Sequence, residues 1–145
     1  MKTEALNEIK VSYKRNPDNK VRVTDSSTIT DYLRHLYPDM DLRESFYAVY
    51  LNRQNRIIGH FLVSTGGCSG TVVDAKLIFS TALACLATGI ILSHNHPSGN
   101  TQPSDQDVSI TNKIKDGAKL LDMQLLDHII LTAESSYSFA DNGIL

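Results

Sequence analysis

From Phe46 to Leu51 the chain is apolar at odd and even positions alike, which reads as a strand buried on both faces. Whatever flanks such a strand has to cover two sides of it. Asn52, Gln54 and Asn55 then supply a turn, and Ile57 to Val63 returns as a second strand, forming a hairpin with the first. Ahead of it, Ile29, Tyr32, Leu33, Leu36 and Tyr37 lie at helical spacing, with Ser26 or Ser27 as cap and Pro38 as stop. Earlier still, Ile9, Val11 and Tyr13 alternate with polar residues and read as a short half-buried strand, and Asn16 to Asn19 around Pro17 as a turn.

Downstream, Gly66 to Gly70 is a flexible connection without the spacing and lysine of a phosphate-binding loop. Asp74 caps a second helix running to about Ala87, whose Leu77, Ile78, Phe79, Leu83, Cys85 and Leu86 leave little exposed face, and Gly89 ends it. Ile90–Leu92 is a short strand, and a helix from Ser104 carries Ile110, Ile114, Ala118 and Leu121 on one side. Leu125–Leu131 and Tyr137–Ala140 read as the last strands. This alternation predicts an α/β fold, a mixed sheet flanked by helices.

A length of 145 residues suits one domain. Residues 1–40 read as a peripheral strand-and-helix layer of the domain whose main body is 41–145. The formal net charge is -2, but residues 1–56 hold 10 basic and 8 acidic side chains and the rest 4 and 8. That balance argues against a protein held on nucleic acid mainly by phosphate neutralisation, while the basic front third leaves a local contact open. No apolar run approaches the roughly 20 residues of a membrane helix, and the first ten residues carry no apolar signal segment. Two cysteines, Cys68 and Cys85, make no disulfide framework, so a reducing cytoplasm is the expected location. Cys85 reads as a small core residue.

One segment is chemically unusual. His94 and His96 sit two apart at a strand end, where extended geometry turns both imidazoles the same way, toward one metal ion. Asp107, one turn into the next helix, adds a carboxylate, giving three ligands and a fourth position for water. The competing explanation is a capping box: Ser104-x-x-Asp107 also starts a helix, and for Asp107 the two roles compete. His35 and His60 read as partly exposed structural residues, and His128 as a hydrogen-bonded histidine in or next to the core. A hydrolytic site further needs a base. Of Glu4, Glu8, Glu44 and Glu134, Glu44 enters the doubly buried strand and has the best scaffold, although position alone favours a solvated residue at a strand start.

His94-Asn95-His96-Pro97, with seven residues separating His96 from Ser104 and then Asp107, resembles the JAMM motif of JAB/MPN metalloproteases. His96-Pro97-Ser98-Gly99 and Leu126-Asp127-His128 are similar to its bacterial RadC-like branch, and Glu44 before Phe46 matches the motif's upstream glutamate. The resemblance covers about residues 40 to 140. It implies a cytidine-deaminase-like α/β/α sandwich holding one zinc ion per chain on His94, His96 and Asp107. It also implies Glu44 as the base, Ser104 as the oxyanion donor, and a peptide or protein substrate cut at a peptide or isopeptide bond. The helix-hairpin-helix region that precedes this domain in full-length RadC proteins has no counterpart in the first 40 residues, which weakens any DNA-repair inference.

Three other readings compete with this one. A two-His, one-carboxylate iron oxygenase fits the ligand types but not the helix-rich pattern. A nucleoside deaminase is excluded, because neither its His-x-Glu nor its Pro-Cys-x-x-Cys signature is present. A DNA-associated accessory module on a metal-bearing scaffold is the non-enzymatic alternative.

Overall fold

The computed structural model describes residues 6–14, 16–67 and 71–145. In chain order its elements are α1 (Ser26–Arg34), β1 (Ser45–Leu51), β2 (Ile57–Thr65), α2 (Ala75–Ala84), β3 (Gly89–Asn95), α3 (Asp105–Leu120), β4 (Gln124–Leu131) and β5 (Ser136–Ser138). The strands form one five-stranded mixed sheet in the order β2-β1-β3-β4-β5. Only β3 and β4 run parallel, joined by the crossover through α3; the other pairs are antiparallel.

Each face of the sheet has its own apolar layer. Phe46, Ala48 and Tyr50 of β1 join Ile90 and Leu92 of β3 under Ile78 and Ala82 of α2 and Ile114 and Ala118 of α3. On the other face, Val49, Leu51, Ile91, Ile129 and Leu131 pack beneath Ile29 and Leu33 of α1. The both-parity pattern of β1 is thus realised: all seven residues are buried, with alternate side chains in different layers. Helices α2 and α3 meet where Gly117 faces Phe79; a Cβ there would stand 2.7 Å from the ring.

Several expectations need correction. Residues 9–13 form no strand: Ile9 is 91% exposed, and Val11 and Tyr13 are exposed as well. Alternation makes a strand possible, but no neighbour offers this segment a ladder to join. The cap of α1 is Asp25, not Ser26 or Ser27; its carboxylate accepts the Thr28 N–H at 2.8 Å and the Thr28 hydroxyl at 2.9 Å. A carboxylate at a helix N-terminus adds charge–dipole attraction to the cap. Helix α1 ends at Arg34, well before Pro38, and Leu36 and Tyr37 pack on the core from the turn that follows. Asp74 caps α2 as expected, accepting from Lys76 N at 2.9 Å, but the helix ends at Ala84. The reversal falls on Leu86, at φ 54°, and Gly89 opens β3. Its outer face is also open: Leu77, Leu83 and Leu86 are exposed, and Cys85 is half-buried. The final strand is Ser136–Ser138, shorter and earlier than the apolar run implied. Cys68 and the rest of 68–70 lie outside the described residues.

Candidate metal centre

The pairing of β1 with β3 sets Phe46 opposite His94, so Glu44, two residues ahead of Phe46, arrives at the end of β3. That strand stays extended through Asn95, and the His96 N–H continues the ladder by donating to Leu131 O at 2.9 Å. His94 and His96 therefore point to the same side, their Nε2 atoms 2.9 Å apart. After Pro97 the chain turns through Gly99, at φ 85°, where a side chain would be strained, and reaches Ser104 at the start of α3. One turn in, Asp107 sets Oδ1 3.2 Å from His94 Nε2 and Oδ2 3.2 Å from His96 Nε2. One ligand atom from each of Glu44, His94, His96 and Asp107 lies within 4.8 Å of the others.

The capping box is present too. Ser104 Oγ accepts the Asp107 N–H at 3.1 Å, and Asp107 Oδ2 accepts the Ser104 N–H at 2.9 Å. Asp107 takes both roles at once: Oδ2 closes the cap and also stands 3.2 Å from His96 Nε2, while Oδ1 faces His94. The cap holds the carboxylate in place for the cluster.

Proton positions follow from groups that can only accept. His96 Nδ1 lies 2.6 Å from the Asn100 carbonyl, so Nδ1 carries the proton and Nε2 presents a lone pair. Thr111, four residues after Asp107 on α3, donates its hydroxyl to Asp107 O at 2.6 Å and so receives the Nδ1–H of His128, also at 2.6 Å. His128 Nε2 then accepts from His94 Nδ1 at 2.8 Å, which leaves a lone pair on His94 Nε2. His128 is fully buried, and that burial holds its pKa well below the usual histidine range, in keeping with a neutral ring.

With both rings neutral, two imidazole lone pairs and a carboxylate thus converge with no donor among them. Such an array of acceptors fits a cation, and its nitrogen and oxygen composition with two half-fixed imidazoles suits a divalent transition metal. Burial pushes the Asp107 carboxyl upward, but the hydrogen bonds and charge of the imidazoles and the Ser104 N–H outweigh it and hold the group well below the carboxylate range. A cation bound among these groups would act on the carboxylate in the same direction. Contact with the Asp107 carboxylate raises the His96 pKa against the opposing effect of burial. Burial raises the Glu44 pKa, partly offset by His94 and His96.

The cluster opens into a cleft of about 630 Å³ whose lining includes the apolar Phe46, Val72, Val73 and Ile110 and the polar Ser98, Asn100, Gln102 and Ser104. No lysine or arginine lines it among the described residues. Ser104 is exposed at its rim. The remaining candidates lie elsewhere: His35 is exposed, His60 is exposed with Nδ1 2.8 Å from the Tyr32 hydroxyl, and Glu8 and Glu134 are exposed. Glu4 lies outside the described residues. Sequence reasoning missed Thr111, Asn95 and Asn100. For Thr111 a signal existed, since positions four apart share a helix face.

Sheet, flanking helices and a His/His/Asp cluster beside Glu44 define an α/β domain with a candidate metal centre at the end of a central strand. The sequence profile of the RadC-like JAB domain matches residues 23–144, and the chain belongs to that family. It is 48% identical to a UPF0758 protein of Flavobacterium johnsoniae over 101 residues, 70% of this chain and 44% of the relative. A UPF0758 protein of Salinibacter ruber is 35% identical over 136 residues, covering 94% of this chain and 58% of the relative. The UPF0758 protein YfjY of Escherichia coli is 37% identical over 125 residues, 86% of this chain and 78% of the relative. The chain spans about half the length of the first two. Among the described residues no helix is long and apolar enough to cross a membrane.

Proposed function

We propose that the chain is a zinc-dependent hydrolase of the JAMM type that cleaves a peptide or isopeptide bond. The observation that carries this reading is the donor-free convergence of His94 Nε2, His96 Nε2 and Asp107 beside a carboxylate whose pKa burial has raised. His94, His96 and Asp107 hold the ion, one per chain. Zinc, when bound, supplies a Lewis acid and lowers the pKa of bound water toward ~7. Glu44, half-buried at the cleft with Oε1 3.9 Å from His94 Nε2, takes a proton from the attacking water and returns it to the leaving nitrogen. The Ser104 hydroxyl accepts from the Asp107 N–H, so its own proton is free to serve the developing oxyanion at the rim. A cleft without lysine or arginine suits a neutral amide chain rather than a phosphodiester, so the expected partner is a peptide or protein. Residues 41–145 form the catalytic body, with 1–40 as its peripheral layer.

The test compares wild type with Glu44→Gln at equal zinc content on a quenched-fluorescence peptide library. The expected result is cleavage by wild type and a loss of about 10²–10⁴-fold in the variant. Equal rates would remove Glu44 as the base. Wild-type protein that takes up no stoichiometric metal would remove the whole reading, whereas metal with no cleavage but salt-sensitive DNA binding would support the accessory-module alternative.

A further inference from the structure

Asn95 stands in sequence between the two histidines, yet on β3 its side chain turns to the opposite face from that of His94. It is fully buried, at 0% exposure. Every hydrogen bond of its amide runs to one stretch of chain. Nδ2 donates to Met40 O at 2.8 Å and to Arg43 O at 2.7 Å, and Oδ1 accepts the Ser45 N–H at 2.8 Å. Two of these three bonds fall on the immediate neighbours of Glu44. The backbone of Glu44 itself is tied to the segment after β2, its N–H donating to Gly67 O at 3.4 Å and its carbonyl accepting from Gly66 N at 2.8 Å.

The Glu44 carboxylate, by contrast, has no hydrogen-bond partner among the described residues; His94 Nε2 stands 3.9 Å away. Its position is therefore inherited from the backbone that Asn95 clamps. We propose that Asn95 is a positioning residue, which holds Glu44 at its distance from the His94/His96/Asp107 cluster from the far side of the sheet. One strand end then sets both parts of the site: alternate residues present the imidazoles, and the residue between them places the carboxylate. The side chain has to be an amide, because the task takes two donors and one acceptor in one plane. Aspartate lacks the donors, serine has one, and an aliphatic residue leaves two part-buried carbonyls and a buried N–H without their partner.

This inference rests on reading Glu44 as the base, and the test separates the two. Cobalt(II) replaces zinc, and the pH midpoint of its visible band, which reports ionisation of the water ligand, is followed in wild type, Glu44→Gln, Asn95→Ala and the double variant. Glu44→Gln is expected to move the midpoint by about one pH unit. Asn95→Ala is expected to move it in the same direction, and the double variant no further than Glu44→Gln alone. Metal content stays at the wild-type level throughout, since His94, His96 and Asp107 are untouched. Asn95→Ser, retaining one donor, falls between wild type and Asn95→Ala. If Asn95→Ala does not fold, Asn95→Ser and its double with Glu44→Gln carry the same comparison. Additive shifts, or an unmoved midpoint in the Asn95 variants, overturn the proposal. An unmoved midpoint in Glu44→Gln, or wild type that takes up no cobalt, removes the functional reading beneath it and the proposal with it.

Discussion

The first and second halves of β3 are equally buried but meet burial by different means. Ile90 and Leu92 turn into the apolar layer under α2 and α3, and Ile91 into the one under α1, where shape and area suffice. His94 and Asn95 are as fully enclosed, and the interior has to supply partners for their polar atoms: His128 for one, the backbone of residues 40–45 for the other. No buried side-chain nitrogen or oxygen among the described residues lacks a partner. The apolar half holds the sheet together. The polar half contributes little net stability per bond but admits only one arrangement, because each unpaired buried group costs about 1–3 kcal/mol.

Substitutions that strike one half and spare the other sharpen this contrast. The largest effect is expected from His94→Ala, which removes a donor and leaves His128 Nε2 without its partner. Metal content by mass spectrometry should fall from about one per chain to none, with a further loss of about 1–3 kcal/mol in urea unfolding of the metal-free protein. Leu92→Ala should do the reverse. Stability falls by about 2–5 kcal/mol through a cavity in the core, while the folded fraction still binds one metal. If Leu92→Ala lost the metal at full folding, the two halves would not be separable as described.

Thr111→Val tests a subtler link, since it keeps the shape but removes the hydroxyl that orients His128 and, through it, His94. Zinc affinity by chelator competition should weaken about 10–100-fold, and urea unfolding should show a loss of about 1–3 kcal/mol because the buried His128 Nδ1–H is left without its acceptor. The smallest effect is one of pH. Burial raises the folded-state pKa of Glu44, so its base form is reached only as pH rises through a value above the ordinary ~4.3. The acid limb of peptide cleavage should lie above that value, with the rate growing as pH increases, and should be absent from any residual rate of Glu44→Gln. A limb that persists unchanged in the variant belongs to another group.

Much of this was legible along the chain wherever the relevant physics is local. The both-parity run at Phe46–Leu51 specified a strand with no solvent side, and Ser104 with Asp107 specified a helix start. The His94/His96 spacing needed only that β3 remain extended, which it does. Failures came where a local pattern waited on a neighbour. Ile9, Val11 and Tyr13 alternate like a strand and stand exposed, and the apolar helix α2 covers only one of its faces. Glu44 was singled out by its scaffold and by family resemblance, since no spacing rule links it to residues 50 positions on. Its approach to His94 depends on the register of β1 against β3.

What the sequence alone determined, then, is the set of groups: the central strands and helices, and that two imidazoles, a capping carboxylate and a glutamate lie on them or at their ends. Periodicity, caps and turn residues act within a few positions, and those interactions are written in order along the chain. Only the tertiary structure decided how the groups are aimed. The imidazole lone pairs are turned inward by Asn100 in one case and by His128 and Thr111 in the other, and Glu44 is held from behind by Asn95. Those are hydrogen bonds across strands and helices, whose direction depends on which acceptor lies opposite. Packing fixes that, and spacing along the chain does not.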